Sequence, residues 1–206
     1  MDKKYKLIYF NVKGKGEVIR LIFTYGKIPY EDVRIESSQW PALKPNTPFG
    51  QLPYIEFDGK TLAQSNAIAR YLAKQCDLTP TTDWEQAQAD ELSDVVQDIK
   101  TIARPVNPVY EKDEAKRKSL LPDVLAAVTQ LLDKVEARLA ANTSGWLVGN
   151  KISWIDLLFF TTTEYYVTVF GKEVLAKYEH QHKLYTRIKQ IPQIAAYLEK
   201  RIDTVI

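Results

Sequence analysis

YKLIYFNVKGKGEVIRLIFTYGKIPYEDVRI, residues 5–35, reads as strand, helix, strand. In its first part Tyr5, Leu7 and Tyr9 fall on alternate positions and share one face of a strand. From Glu17 to Tyr25 the apolar residues Val18, Leu21, Ile22 and Tyr25 follow helical spacing, and Gly26 stands where a helix stops. Tyr30 to Ile35 then has the β-branched and aromatic content of a second strand. Two strands joined through one helix predict a parallel pair with a helical crossover.

Working outward, Pro53-Tyr-Ile-Glu-Phe57 and Lys60-Thr-Leu62 flank Asp58-Gly59. Asp-Gly supplies the two positive φ values of a type I′ turn, so a hairpin is expected. A helix from about Ser65 to Lys74 closes the unit. The order β-α-β-β-β-α, with an antiparallel hairpin at its end, predicts a thioredoxin-like domain over residues 1–77. Leu78-Thr-Pro-Thr-Thr-Asp83 reads as a linker. Residues 84–206 read as an all-helical bundle domain. One helix runs from about Trp84 to Ala103. A second aligns Leu121, Leu125, Val128, Leu132, Val135 and Leu139 on one stripe. A third begins at Ser153-Trp-Ile-Asp156, which has capping-box spacing with Asp in the usual Glu position; Ile152 and Leu157 suit the flanking hydrophobic staple.

Composition excludes several function classes. The chain has 206 residues, 45% of them hydrophobic and 26% charged, with a net charge of +2, which gives no basis for nucleic-acid or anionic-membrane binding. Its single cysteine, Cys76, makes no internal disulfide and no Cys-based zinc motif, and His180 and His182 alone make no metal site. No metal is therefore expected. The N-terminus lacks the apolar run of a signal peptide, and no stretch approaches ~18 uninterrupted apolar residues. A reducing, cytoplasmic setting is the expectation. Gly14 and Gly16 are not followed by a further spaced glycine, so they make no phosphate loop, and HExxH and Cys-His signatures are absent. Hydrolase and oxidoreductase readings lose support accordingly.

Three polar features remain. Tyr9 ends a strand and precedes the polar turn Asn11-Val-Lys-Gly-Lys15; strand pattern alone makes it a core tyrosine with its hydroxyl at the rim. Gln64-Ser65 precedes a helix, where serine is a good N-cap, while an exposed helix start also suits a carboxylate. Gly50-Gln-Leu-Pro53 enters a strand, and a cis bond there would present the Leu52 backbone to an extended peptide.

In this order the segments Tyr5–Asn11, Trp40–Lys44, Pro48–Pro53, Asp58-Gly59 and Gln64–Leu72 resemble sigma-class cytosolic glutathione S-transferases, the class that includes haematopoietic-type prostaglandin D synthase. The resemblance extends through the helical half and its Ser153–Asp156 segment. It implies a glutathione transferase that conjugates the glutathione thiolate to small hydrophobic electrophiles, with glutathione as co-substrate and no metal. Tyr9 then matches the catalytic hydroxyl that donates to the glutathione sulfur. Gln64 and Ser65 match contacts to the γ-glutamyl end. Gln51, Leu52 and Pro53 lie in the turn beside the cysteinyl residue, with Leu52 supplying the backbone contact. Trp40 and Lys44 match side chains at the glycyl end. Asp98 matches an acidic residue that reaches the neighbouring subunit's site, which implies a homodimer. Phe10, Val12, Lys15, Ile102, Pro105 and Val106 match the second-substrate pocket. Lys15 and Pro105 stand near positions where the prostaglandin synthases carry arginine and tryptophan, and Gln97 replaces one acidic residue of their magnesium cluster. These departures favour general conjugation over that isomerisation. The alternatives are a glutathione-dependent isomerase or peroxidase, or a non-catalytic, crystallin-like ligand-binding relative. Cys76 reads as incidental.

Overall fold

The computed structural model describes residues 4–204. Contacts divide them into two units, one running to Thr79 and resuming at Lys189, the other spanning Pro80–Ile188. The boundary lies within residues 78–83.

The first unit has the expected thioredoxin-like plan. Strands β1 (Tyr5–Phe10), β2 (Tyr30–Ile35), β3 (Tyr54–Phe57) and β4 (Lys60–Ala63) form one sheet in the order β2-β1-β3-β4. β1 and β2 are parallel, joined through α1 (Glu17–Tyr25). β3 runs antiparallel to both β1 and β4. Asp58 and Gly59 both take positive φ, 48° and 71°, as the hairpin requires. Leu7, Ile55, Ile19, Leu21, Ile22, Ile68 and Leu72 are fully buried, so α1 and α3 (Ser65–Ala73) close over the sheet with their apolar faces.

Two local details depart from the sequence reading. A four-residue helix, α2 (Trp40–Leu43), lies between β2 and β3; it is too short to carry a period. Gly26 does end α1, yet its φ is −75°, and the left-handed residue is Lys27 at φ 50°. A Cβ on Gly26 would stand 2.6 Å from Cys76 Cβ, so close approach is what demands glycine there.

The second unit is helical: α4 (Asp83–Ala103), α5 (Glu114–Ala141), α6 (Trp154–Phe170), α7 (Lys172–Ala176) and most of α8 (Glu179–Lys189). Val128, Leu132, Val135 and Leu139 of the expected stripe are buried, with Leu121 and Leu125 half-buried. α4 begins with a capping box: Thr82 Oγ1 accepts from Glu85 N–H at 3.1 Å, and Glu85 accepts from Thr82 N–H at 3.0 Å. At the head of α6, Asp156 accepts from the N–H groups of Ser153 and Leu147 at 2.8 and 2.9 Å. The last helix, α9 (Pro192–Lys200), lies in the sequence's helical half, but its contacts group it with the first unit. Ile194 of α9 is fully buried, and Tyr197 and Arg201 both donate to Glu17 on α1.

Candidate functional site

Sheet register gathers the polar features at one end of the first unit. Ile8 pairs with Tyr54, so the end of β1 at Tyr9 and Phe10 lies at the same end of the sheet as the Leu52-Pro53 entry to β3. Tyr54 pairs with Ala63, which brings Gln64 and the start of α3 alongside Pro53. Three segments thus converge: the C-terminal end of β1, the entry to β3 and the N-terminus of α3.

Tyr9 is buried, with 7% of its surface exposed. Lys15 N–H donates to its hydroxyl oxygen at 2.9 Å. A donor into a hydroxyl oxygen strengthens that hydroxyl as a donor in turn. The ring is seated by two glycines. A Cβ on Gly14 would stand 2.5 Å from the Tyr9 oxygen, and one on Gly16 2.5 Å from Cδ1. The glycine pair that makes no phosphate loop is therefore a cradle for an aromatic ring. The Gly14-Lys15-Gly16 run in the turn that follows the strand ending at Tyr9-Phe10 is the signal that sequence reading passed over.

The start of α3 is not built as an ordinary serine cap. Gln64 occupies the cap position at φ 71°, without a capping hydrogen bond from its side chain, and Ser65 is the first helical residue. A non-glycine residue held at positive φ costs about 1 kcal/mol or more. The first turn of α3, with its partial positive charge, therefore has no side-chain cap from Gln64. Gln64 Nε2 donates to Gln51 Oε1 at 3.4 Å, a long contact between exposed side chains. The Leu52–Pro53 bond is cis. Trp40 packs edge-on to Phe10, with ring centroids 5.3 Å apart. The exposed Lys44 lies alongside Gly50: its Cε is 3.7 Å from where a Gly50 Cβ would sit.

The register and these contacts thus draw Tyr9, Phe10, Trp40, Lys44, Gln51, Leu52, Pro53, Gln64 and Ser65 to one end of the unit. Val12 and Lys15 follow in the turn after β1, half-buried and exposed respectively. Asp98, Ile102, Pro105 and Val106 belong to the second unit. There Asp98 is exposed on α4, Ile102 is half-buried, and Pro105 and Val106 lie in a short 3₁₀ turn with Val106 buried.

Sequence reading missed a buried polar cluster behind Tyr9. Arg20 on α1 is fully buried, and its Cζ lies 5.9 Å from the Tyr9 ring centroid. It meets Asp32 on β2 and Glu17 on its own helix. Burial alone would lower its pKa, but the paired carboxylates raise it above the ordinary arginine value. Cys76 is half-buried, and burial pushes its thiol up to about 11, the opposite of what a nucleophile needs. Among the described residues no group of three His, Cys, Asp or Glu side chains is placed to hold a metal ion, and no helix is long and apolar enough to cross a membrane.

Residues 5–74 match the family model of the glutathione S-transferase N-terminal domain, and residues 98–201 that of the C-terminal domain. The probable glutathione S-transferase 5 of Caenorhabditis elegans is 40% identical over 201 residues, covering 96% of each chain. The haematopoietic prostaglandin D synthase of Rattus norvegicus is 36% identical over 201 residues, covering 97% of this chain and 98% of that one. Among solved structures, a C. elegans glutathione S-transferase superposes with a TM-score of 0.89 at 39% identity, covering 98% of this chain and 99% of that one. A monomeric glutathione S-transferase from the hookworm Necator americanus gives a TM-score of 0.90 at 30% identity, covering 98% of each chain. With both halves matched and relatives alike along nearly their whole length, the chain belongs to the glutathione S-transferase family.

Proposed function

We propose that this glutathione transferase, of the sigma class, activates its co-substrate through Tyr9 and conjugates it to small hydrophobic electrophiles. The observation that carries the reading is the seating of Tyr9, a buried phenol clamped by Gly14 and Gly16 whose oxygen receives the Lys15 N–H. A free thiol has a pKa of about 8.5, and the thiolate is the nucleophile. One hydrogen bond to a charged acceptor contributes about 1.5–3 kcal/mol, which corresponds to roughly one to two pKa units. That suffices for a useful thiolate fraction at neutral pH. The phenol acts as a neutral donor. The sulfur then forms a bond to the electrophilic carbon, the leaving group departs with its electron pair, and the thiol proton has already gone to solvent.

The peptide part of glutathione is assigned to the surrounding groups. Its γ-glutamyl carboxylate meets Ser65 and the start of α3, and its cysteinyl backbone meets Leu52. Its glycyl carboxylate meets Lys44 beside Trp40, a lysine serving as a point charge. Gln51 and Gln64 complete the rim. Phe10, Val12 and Lys15 are assigned to the second substrate. The working form is a cytoplasmic homodimer to which Asp98 contributes across the interface, and the chemistry runs without a metal.

The relatives named prostaglandin D synthase raise a second reading, isomerisation by the same thiolate. Lysine at position 15 and proline at 105 argue against it, because lysine lacks the planar fork of arginine and proline the wall of an indole. One experiment tests both readings. A single preparation is assayed for aryl-halide conjugation, for prostaglandin isomerisation and for thiolate absorbance of bound glutathione, beside Tyr9→Phe. Conjugation should dominate. The variant should bind glutathione, titrate its thiol at higher pH and lose roughly 30- to 150-fold in rate, the equivalent of about 2–3 kcal/mol. Coincident titrations would remove Tyr9 as the activator.

A further inference from the structure

Glu17 and Arg20 are charged residues on α1 that point inward, 1% and 0% exposed. A buried charge is tolerated only when it is fully partnered. Tying α1 to β2 would need just the contact between Arg20 Nε and the two Asp32 oxygens, at 3.2 and 3.1 Å. The remaining donors of the guanidinium go elsewhere. Nη1 donates to the Val12 carbonyl at 2.8 Å, and Nη2 to the Phe10 carbonyl at 3.5 Å. Those carbonyls belong to the last residue of β1, next to Tyr9, and to the turn after it that leads to Gly14 and Gly16, the two sides of its cradle. Nη1 is shared with Glu17 Oε2 at 3.2 Å. The other oxygen of Glu17 faces the C-terminal helix, accepting from Tyr197 Oη at 3.1 Å and Arg201 Nη1 at 2.9 Å.

We infer that Tyr197 and Arg201 are positioning residues for Tyr9, acting through Glu17 and Arg20 on the turn that holds the phenol. The inference rests on the reading of Tyr9 as donor to the glutathione sulfur. With both donors in place, one Glu17 oxygen is committed to α9 and the other shares Nη1 lightly with Val12. With those donors gone, the buried carboxylate draws more on Nη1 and pulls it from the Val12 carbonyl. The turn then loses its shortest tie to Arg20, and the phenol shifts relative to the sulfur. Displacements of about 1 Å at a reacting centre cost up to ~100-fold, so a fraction of that shift is measurable.

The test uses the full chain with Tyr197→Phe, Arg201→Met and Arg201→Lys. Its readouts are the thiolate titration of bound glutathione, kcat and KM for conjugation, and the melting temperature. Expected for Tyr197→Phe and Arg201→Met is a fall in kcat of about 3- to 10-fold, with the bound thiol titrating higher and the KM for glutathione within about twofold. Arg201→Lys, which keeps a cation at this place, should recover most of the loss. Should Arg201→Met fail to fold, Tyr197→Phe, which removes a single hydroxyl, carries the test. Variants that melt lower yet keep the wild-type titration and kcat would overturn the inference and leave the network purely structural. A wild type whose bound glutathione shows no Tyr9-dependent thiolate would overturn the proposed function, and this inference with it.

Discussion

Gly16→Ala is the sharpest probe of how Tyr9 is seated. Gly16 has φ −79° and ψ −24°, a conformation open to any residue, so alanine there meets no backbone penalty. What it meets is the ring: the added Cβ would stand 2.5 Å from Tyr9 Cδ1 and 2.9 Å from Cγ. Non-bonded carbons prefer about 3.5–4.0 Å, so the ring or the start of α1 must move by about 1 Å. The ring has little room. Gly14 abuts its oxygen, Phe10 lies edge-on with centroids 5.7 Å apart, and Lys15 N–H holds the hydroxyl. Overpacking of this kind costs about 1–3 kcal/mol of stability. Displacing the phenol by that distance should lower kcat by up to ~100-fold while the contacts to the glutathione carboxylates persist. The assay is steady-state conjugation with glutathione and an aryl halide, with thermal melting in parallel. Gly59→Ala is the comparison: nothing lies within 4 Å of its added Cβ, but its φ of 71° strains the backbone. That variant should lose about 1–2 kcal/mol of stability and keep kcat. Wild-type kcat in Gly16→Ala, or an equal loss in both variants, would refute the seating argument.

Ser65→Ala should weaken glutathione binding by about 1 kcal/mol or somewhat more, as for one charge-assisted hydrogen bond; unchanged affinity by titration calorimetry would defeat the assignment to α3. A homodimer predicts sedimentation at twice the 23.7 kDa chain mass and weaker glutathione binding in Asp98→Asn. The monomeric Necator relative makes this a real choice, and a monomer in the ultracentrifuge would decide against the dimer. Asp156 is fully buried, and burial pushes its carboxyl up to about 6 against the pull of its N–H and hydroxyl donors. A raised carboxyl pKa means the folded chain holds the proton longer than the unfolded one. The contribution of Asp156 to stability is therefore fully present below about pH 4 and declines as the pH rises to about 6. The stability advantage of wild type over Asp156→Asn should shrink across that window; an advantage that grows with pH would show that the hydrogen bonds outweigh burial.

Much of the fold was legible because its signals are local. Alternation at Tyr5, Leu7 and Tyr9, helical spacing from Val18 to Tyr25, and Asp58-Gly59 between two short strands each follow from neighbouring residues and backbone geometry. The site was legible only in part. Gln64-Ser65 read locally as a serine cap, whereas the structure puts Gln64 in the cap position at positive φ and Ser65 inside the helix. Gly14 and Gly16 carried no meaning until the ring they flank was in place. Arg20 and Glu17 carry no local sign of burial, because charged residues on an amphipathic helix usually face solvent.

The sequence by itself determined the order of the four strands with α1 and α3, the parallel β1–β2 pair, the hairpin and the residues that resemble a glutathione site. Periodicity and turn chemistry act over a few residues, so they survive in a linear reading. Tertiary structure alone decided which end of the sheet brings Tyr9, Leu52 and Gln64 together, why Gly26 must yield to Cys76, and that α9 packs with the first unit. It also decided that Arg20 is buried at all. The partners that make that burial tolerable are Asp32, 12 residues away, and Glu17, itself held by Arg201 from 184 residues away. Desolvating a charge is prohibitive until such partners arrive, and no local pattern records that they will.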